Sequence, residues 1–286
     1  MSTEVLIDVA DEPADRVEAL AGRIEDYQRR YERQRDSRAV FAFAYRNLTL
    51  DLADRLAATD TGFDDPEWVA DLGLAFGGRF VAAMDAIDDW LAADGESALS
   101  EHAPTPWADV YAAIDGWSLV IEDLVFAMGA HISYDLPMAL QTVDHADRRL
   151  GDYHEMNEVL AANTESIQAA VTRRYNPLLG RFDRLLGPVD EQFTGYAIRL
   201  GRSVAWYNAR RLANADTHRA AKGSITRSTA ALIDSVRRPG SWWLRLGSKI
   251  GRTLAHNRRW STPRPPEEAE ETGREFARWE VTSSGT

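Results

Sequence analysis

The chain of 286 residues contains no cysteine. That excludes disulfides, thiolate metal sites and a cysteine nucleophile together. It has only two lysines, Lys222 and Lys249. No apolar run approaches the roughly 20 residues needed to span a bilayer. Strand signals are scarce, with few β-branched runs and no sustained alternation of apolar and polar residues. The pairs Asp94-Gly95 and Asp115-Gly116 do not sit between alternating apolar runs, so neither reads as a hairpin turn. There is no GxxxxGK[ST], no GxGxxG after a strand and no GxSxG elbow. His154-Glu155 lacks the second histidine of HExxH. No internal repeat occurs at solenoid periods.

What is present reads as one globular unit. Hydrophobic residues make up 44% and charged residues 27%, and the length suffices for a sizeable core. The N-terminus MSTEVLIDVADEP is acidic and lacks the pattern of a cleaved leader, so a cytoplasmic protein is expected. The net charge is −12, from 26 Asp and 19 Glu against 31 Arg and the two lysines. High Asp with little Lys fits a salt-adapted or GC-rich prokaryote, since a hydrated acidic surface stays soluble when salt screens charge. The charge is unevenly spread. Residues 1–170 hold 34 acids and 12 arginines, whereas residues 171–265 hold 5 acids and 19 bases. Either the two halves pack together and neutralise each other, or the basic half faces a nucleic acid or a membrane.

Helical periodicity dominates. Residues 13–35 place Val17, Leu20, Ile24, Tyr27 and Tyr31 on one stripe. Residues 37–58, with Ser37 as the expected N-cap, align Phe41, Tyr45, Leu48, Leu52 and Leu56. Asp65 caps a helix that opens with Pro66 and runs to about 92. Residues 107–132 are apolar on more than one face and read as the central helix of a bundle, with Pro137 breaking or restarting the chain soon after. Helices follow over 152–175, 190–215 and about 219–236. The expected fold is all-α, a single bundle of about eight helices. One domain spans 1–260, with a core over 37–216 and a basic aromatic helix over 240–260. A disordered acidic tail covers 261–286.

One stretch stands out for chemistry, GAHISYDLPMAL (129–140). His131 and Asp135 lie four apart and share a helix face. A buried carboxylate needs a cation, a metal or good donors. The pair therefore reads either as two metal ligands or as part of an internal polar network. Asp152, in GDYHEMN, is the nearest third ligand or base, or else a helix cap. His154 points elsewhere on the same helix, and His145 is a weaker candidate. In RLGRSVAW, Arg199 and Arg202 are placed to meet an anionic group or the buried acids, and Arg202 is spaced to stack on Trp206. The aspartates of DAIDDW, Asp85, Asp88 and Asp89, have the look of a magnesium motif but lack a partner motif, and read as a solvated face. The segment SWWLRLGSKIGRTLAHNRRW has no acid. It sets Trp243, Leu246, Ile250 and Leu254 against Arg245, Lys249, Arg252 and His256, as in a helix lying on an anionic membrane. No nucleic-acid motif accompanies it.

The order of FAFAYRNLT, DPEW with a later F-x-x-x-F, GAHISYDLP, DYHEMN and RLGRSVAW over about residues 37–210 resembles an uncharacterised all-helical family of actinobacteria and haloarchaea, domain-of-unknown-function family 5995. The resemblance implies an all-α fold and a special role for His131 and Asp135, and brings no activity. More remotely, G-x-H-x-x-x-D is similar to the zinc-dependent phospholipase C and single-strand nuclease fold, whose His and Asp bind zinc. That group uses several further histidines, and this chain has 6 in all, so one metal is the most it implies. Three functions are expected in turn. The first is a metal-assisted hydrolase or lyase with one divalent metal, zinc, on His131, Asp135 and Asp152, and with Arg199 or Arg202 meeting an anionic or lipid-like small molecule. The second is a non-catalytic binding or structural protein whose same residues form a buried network. The third is a peripheral membrane protein.

Overall fold

The structure is a computed structural model, and it describes residues 12–93, 95–114, 118–175 and 189–238. The expected helix at 240–260 and the tail at 261–286 lie outside the described residues. Among the described residues there are nine α-helices and no strand: α1 (Pro13–Gln34), α2 (Arg38–Ala57), α3 (Pro66–Ala92), α4 (Thr105–Ile114), α5 (Val120–Ala130), α6 (Leu136–Ala139), α7 (Leu150–Tyr175), α8 (Val189–Ala213) and α9 (His218–Arg237). None of them is long and apolar enough to cross a membrane.

Local chemistry sets the boundaries. The apolar stripe of α1 is buried as its spacing requires. Arg35 adopts φ 57° and ends the helix, letting the Asp36 N–H return to the Tyr31 carbonyl at 2.8 Å. Ser37 makes no capping bond. Instead the Asp36 carboxylate accepts from the Arg38 N–H at 2.8 Å and also from its guanidinium. Asp65 caps α3 as expected, accepting from the Trp68 N–H at 3.0 Å.

The central helix is α2, where every residue from Ala39 to Tyr45 is buried. The stretch expected to form one helix over 107–132 is instead two, α4 and α5. A fresh start is built into the sequence there, since the Glu122 carboxylate accepts from the Leu119 N–H at 2.9 Å. Pro137 restarts the chain, standing in the first turn of α6. Residues His131–Asp135 form a π turn between α5 and α6, in which the Leu136 N–H bonds the His131 carbonyl. A wider turn accommodates a proline that has no N–H to give the preceding turn.

Two apolar clusters make up most of the core. One joins α1, α2, α3, α4 and α5 around Phe41, Phe80 and Trp107. The other joins α2, α3, α6, α7 and α8 around Leu52, Trp68, Leu136 and Tyr153. The acidic and basic halves do pair across the bundle: Arg174 with Glu32 at 2.7 Å, Arg210 with Asp147 at 2.8 Å and Arg199 with Glu158 at 3.0 Å. The aspartates of DAIDDW are not a merely solvated face. Asp88 accepts from the Tyr31 hydroxyl at 3.1 Å and from Arg38 at 2.6 Å, and Asp85 accepts from the Tyr27 hydroxyl. They tie α3 to α1 and α2.

Candidate functional site

A cavity of about 130 Å³ lies where the two clusters meet. Phe41, Tyr45 and Leu124 of the first cluster and Leu72, Trp68 and Leu136 of the second form part of its wall. Half-buried Leu48, Leu160 and Ile198 also line it. The lining is overwhelmingly aliphatic and aromatic, as ligand sites are, with a few polar groups placed among them. Two of those polar groups are His131 and Arg202.

The π turn delivers His131. Its Nδ1 lies 2.9 Å from Asp135 Oδ2, and the Trp107 indole N–H donates to the same oxygen at 2.8 Å. A carboxylate only accepts, so Nδ1 carries the proton and Nε2 presents a lone pair. Phe76 stacks on the imidazole with ring centres 3.6 Å apart and planes 9° apart, and Tyr45 meets it edge-on at 4.6 Å. Burial pushes the imidazole pKa down, against the opposing pull of Asp135, which keeps the ring neutral. Nε2 is buried and has no hydrogen-bond partner. A buried acceptor of this kind costs about 1–3 kcal/mol when left unmade.

Arg202 comes from α8. It is 4% exposed. Its Nε donates to Asn157 Oδ1 at 2.7 Å and a terminal nitrogen to the Tyr153 carbonyl at 2.8 Å. The guanidinium lies 4.3 Å over the Tyr153 ring. The stack expected with Trp206 is thus made with Tyr153, against which Trp206 itself tilts at 4.8 Å. No carboxylate among the described residues pairs with Arg202, and burial pushes its pKa down. The bonds it makes go to neutral oxygens, so its charge is solvated but not balanced.

The structure corrects the other expected site residues. Asp152 does not join His131 and Asp135. Its two oxygens accept the N–H groups of Asp64 and Asp65 at 2.7 and 3.1 Å, fixing the entry to α3. The alternative of a cap was nearer the truth, although the helix it serves is not its own. Arg199 pairs with Glu158 at the surface and does not line the cavity. Among the described residues, no group of three His, Asp or Glu side chains is placed to hold a metal. His145 sits edge-on to Trp206, and His154 bonds Asn157. Sequence reasoning missed Trp107, Phe76 and Tyr153 as site residues. Their only signal was bulk at helical spacing, which is also the signal of any core residue.

A family model described as "Family of unknown function (DUF5995)" matches residues 17–239. The chain belongs to this family. The matched stretch of the DUF5995 chain contains the whole cavity wall, from Val17 to Arg202. No curated protein and no solved structure matches the chain.

Proposed function

We propose that this protein binds a small, largely apolar acid in its central cavity. One observation carries the reading: a buried arginine without a carboxylate partner among the described residues lines the same apolar cavity as His131, whose Nε2 has no hydrogen-bond partner. Burying a cation costs several kcal/mol. Stacking on Tyr153 and two hydrogen bonds offset part of that cost. A carboxylate entering the cavity would supply the rest through the guanidinium N–H groups that Asn157 and Tyr153 leave unused. The cavity is close in size to an engineered cavity of about 150 Å³ that takes benzene, so the apolar body is a ring or a chain of about six carbons.

Calorimetric titration tests this with benzoate and hexanoate against benzyl alcohol and 1-hexanol. The carboxylates bind more tightly than the alcohols, and Arg202→Met removes the difference. Equal binding of acids and alcohols, or binding of neither, overturns the reading.

A second reading rests on the Asp135–His131 pair itself. A carboxylate that orients Nδ1–H and leaves Nε2 bare is the arrangement of a general base. In that case the bound acid is the product of ester hydrolysis. Turnover of an aryl ester that is lost in His131→Gln, with benzoate binding retained, supports it. Asp152 is committed to two backbone donors, which argues against metal-assisted hydrolysis through His131, Asp135 and Asp152.

A further inference from the structure

The helix that supplies Arg202 has a second, unexplained face. Ile198 and Arg202 of α8 line the cavity, and Ala205, Trp206 and Ala209 are buried on the same side. The opposite face carries Tyr196, Leu200, Val204 and Tyr207, at spacings of four, four and three that place them on one stripe. They are 64, 51, 48 and 61% exposed. Scattered exposed apolar residues need no explanation, but four aligned on one helix mark a surface that meets something.

The charge around the stripe says what. Arg199, Arg210 and Arg211 flank it by the same spacing, and there is no acid from 196 to 213. Over 196–238 the chain has nine bases and two acids, whereas residues 1–170 hold 34 acids and 12 arginines. Arg199 and Arg210 make exposed ion pairs with Glu158 and Asp147, and Arg211 bonds the neutral Asn208. Exposed pairs of this kind exchange readily for other anions. A second copy of the chain is a poor occupant, because symmetric pairing of this face sets arginine against arginine. An anionic bilayer fits both the apolar stripe and its basic margins.

We infer that α8 docks on an anionic lipid surface through Tyr196, Leu200, Val204 and Tyr207. Leu200 and Val204 enter the boundary of the acyl chains. The two tyrosines at the ends sit at headgroup level, where an apolar ring and a polar hydroxyl are both satisfied. The arginines meet lipid phosphates. The helix lies in the plane of the surface, and its inner face remains the wall of the cavity. Apolar acids partition into bilayers, so docking brings the cavity to where such molecules concentrate. The docking itself does not depend on what the cavity holds.

Flotation of the full chain with vesicles tests it. Vesicles of phosphatidylcholine with phosphatidylglycerol carry the protein, and vesicles of phosphatidylcholine alone do not. The triple variant Tyr196→Ser, Leu200→Ser, Tyr207→Ser keeps its helical circular dichroism and melting temperature, because the changed side chains are exposed, and loses at least about fivefold in bound fraction. The pair Arg199→Gln, Arg211→Gln, which leaves the stripe intact, also weakens binding and reduces its salt sensitivity. Two results overturn the proposal. One is flotation that both variants leave unchanged, as attachment through residues 240–260 would give. The other is no flotation, with a sedimentation coefficient that falls in the triple variant, as a dimer through this face would give.

Discussion

Arg38 and Arg202 are buried to the same depth, each 4% exposed, and each lies over a tyrosine ring, at 4.0 Å from Tyr31 and 4.3 Å from Tyr153. Their surroundings differ in one respect. Arg38 has two carboxylates within 2.6 Å, those of Asp36 and Asp88. Burial alone would lower its pKa, but Asp36, Tyr31 and Asp88 together raise it. Among the described residues Arg202 bonds neutral oxygens only, and burial lowers its pKa against a weaker opposing pull from Tyr153. The first arginine is a closed ion-pair network that staples α1, α2 and α3. The second is an open charge on a cavity wall. The same residue type at the same depth is thus structural in one place and available in the other. The deciding variable is whether the protein itself supplies the counter-charge.

That contrast is sharpest in the response to truncation. Arg38→Met leaves Asp36 without its cation, while Asp88 keeps Arg30 and the Tyr31 hydroxyl, so a loss of about 3 kcal/mol is expected, the low end for breaking a buried pair. Urea unfolding followed by circular dichroism measures it. Next comes Asp135→Ala, which strands the indole N–H of Trp107 and Nδ1–H of His131 in the core. A loss of about 2–4 kcal/mol is expected in the same assay, from two unpaired buried donors. Asp152→Ala unpairs the Asp64 and Asp65 N–H groups and costs about 1–3 kcal/mol. Its effect on stability is the same with and without a chelator, whereas a metal ligand's effect would depend on the chelator. Arg202→Met costs least, about 1 kcal/mol or less in the absence of ligand, because a buried charge exchanged for an apolar side chain is often neutral. If Arg202→Met proved as damaging as Arg38→Met, the two arginines would be equivalent and the cavity reading would fail.

Acidity separates the regions too. The folded protein holds His131 below its ordinary value of 6.5. The unfolded chain therefore takes up a proton first as pH falls. The contribution of His131 to stability is complete above pH 6.5 and declines below it. Unfolding curves across that range should show a loss in the wild type that is smaller in His131→Gln. Glu32 acts lower on the scale. Burial raises its pKa, but hydrogen bonds from Arg174 and Tyr175 outweigh that and bring it below 4.5, so its contribution declines only under that pH. An increment between pH 6.5 and 4.5 that His131→Gln does not remove would place the titrating group elsewhere.

Much of the fold was legible from spacing. The stripe of α1, the Asp65–Pro66 start of α3 and the extents of α7, α8 and α9 follow from apolar periodicity and capping chemistry. The break inside 107–132 was less visible, because its signal is one Glu122 carboxylate reaching back to a backbone N–H amid an apolar run. His131 and Asp135 were legible as a pair because their contact is local. Asp152 was misassigned because helical spacing says which face a side chain occupies and not which neighbour lies there. Arg202 was placed near the motif, yet its ring partner could not be read, since Tyr153 is 49 residues away and Trp206 only four.

The amino-acid sequence alone determined most of the helices, the absence of thiol chemistry and the His131–Asp135 contact. Each depends on residues within a turn or two of one another, where backbone geometry dictates who meets whom. Only the tertiary structure decided that Arg202 has no carboxylate partner among the described residues, that Asp152 serves the backbone at α3 and that His131 Nε2 is left bare. Those facts turn on which distant helix packs opposite. A buried charge or lone pair takes its meaning from the partner that packing brings or withholds.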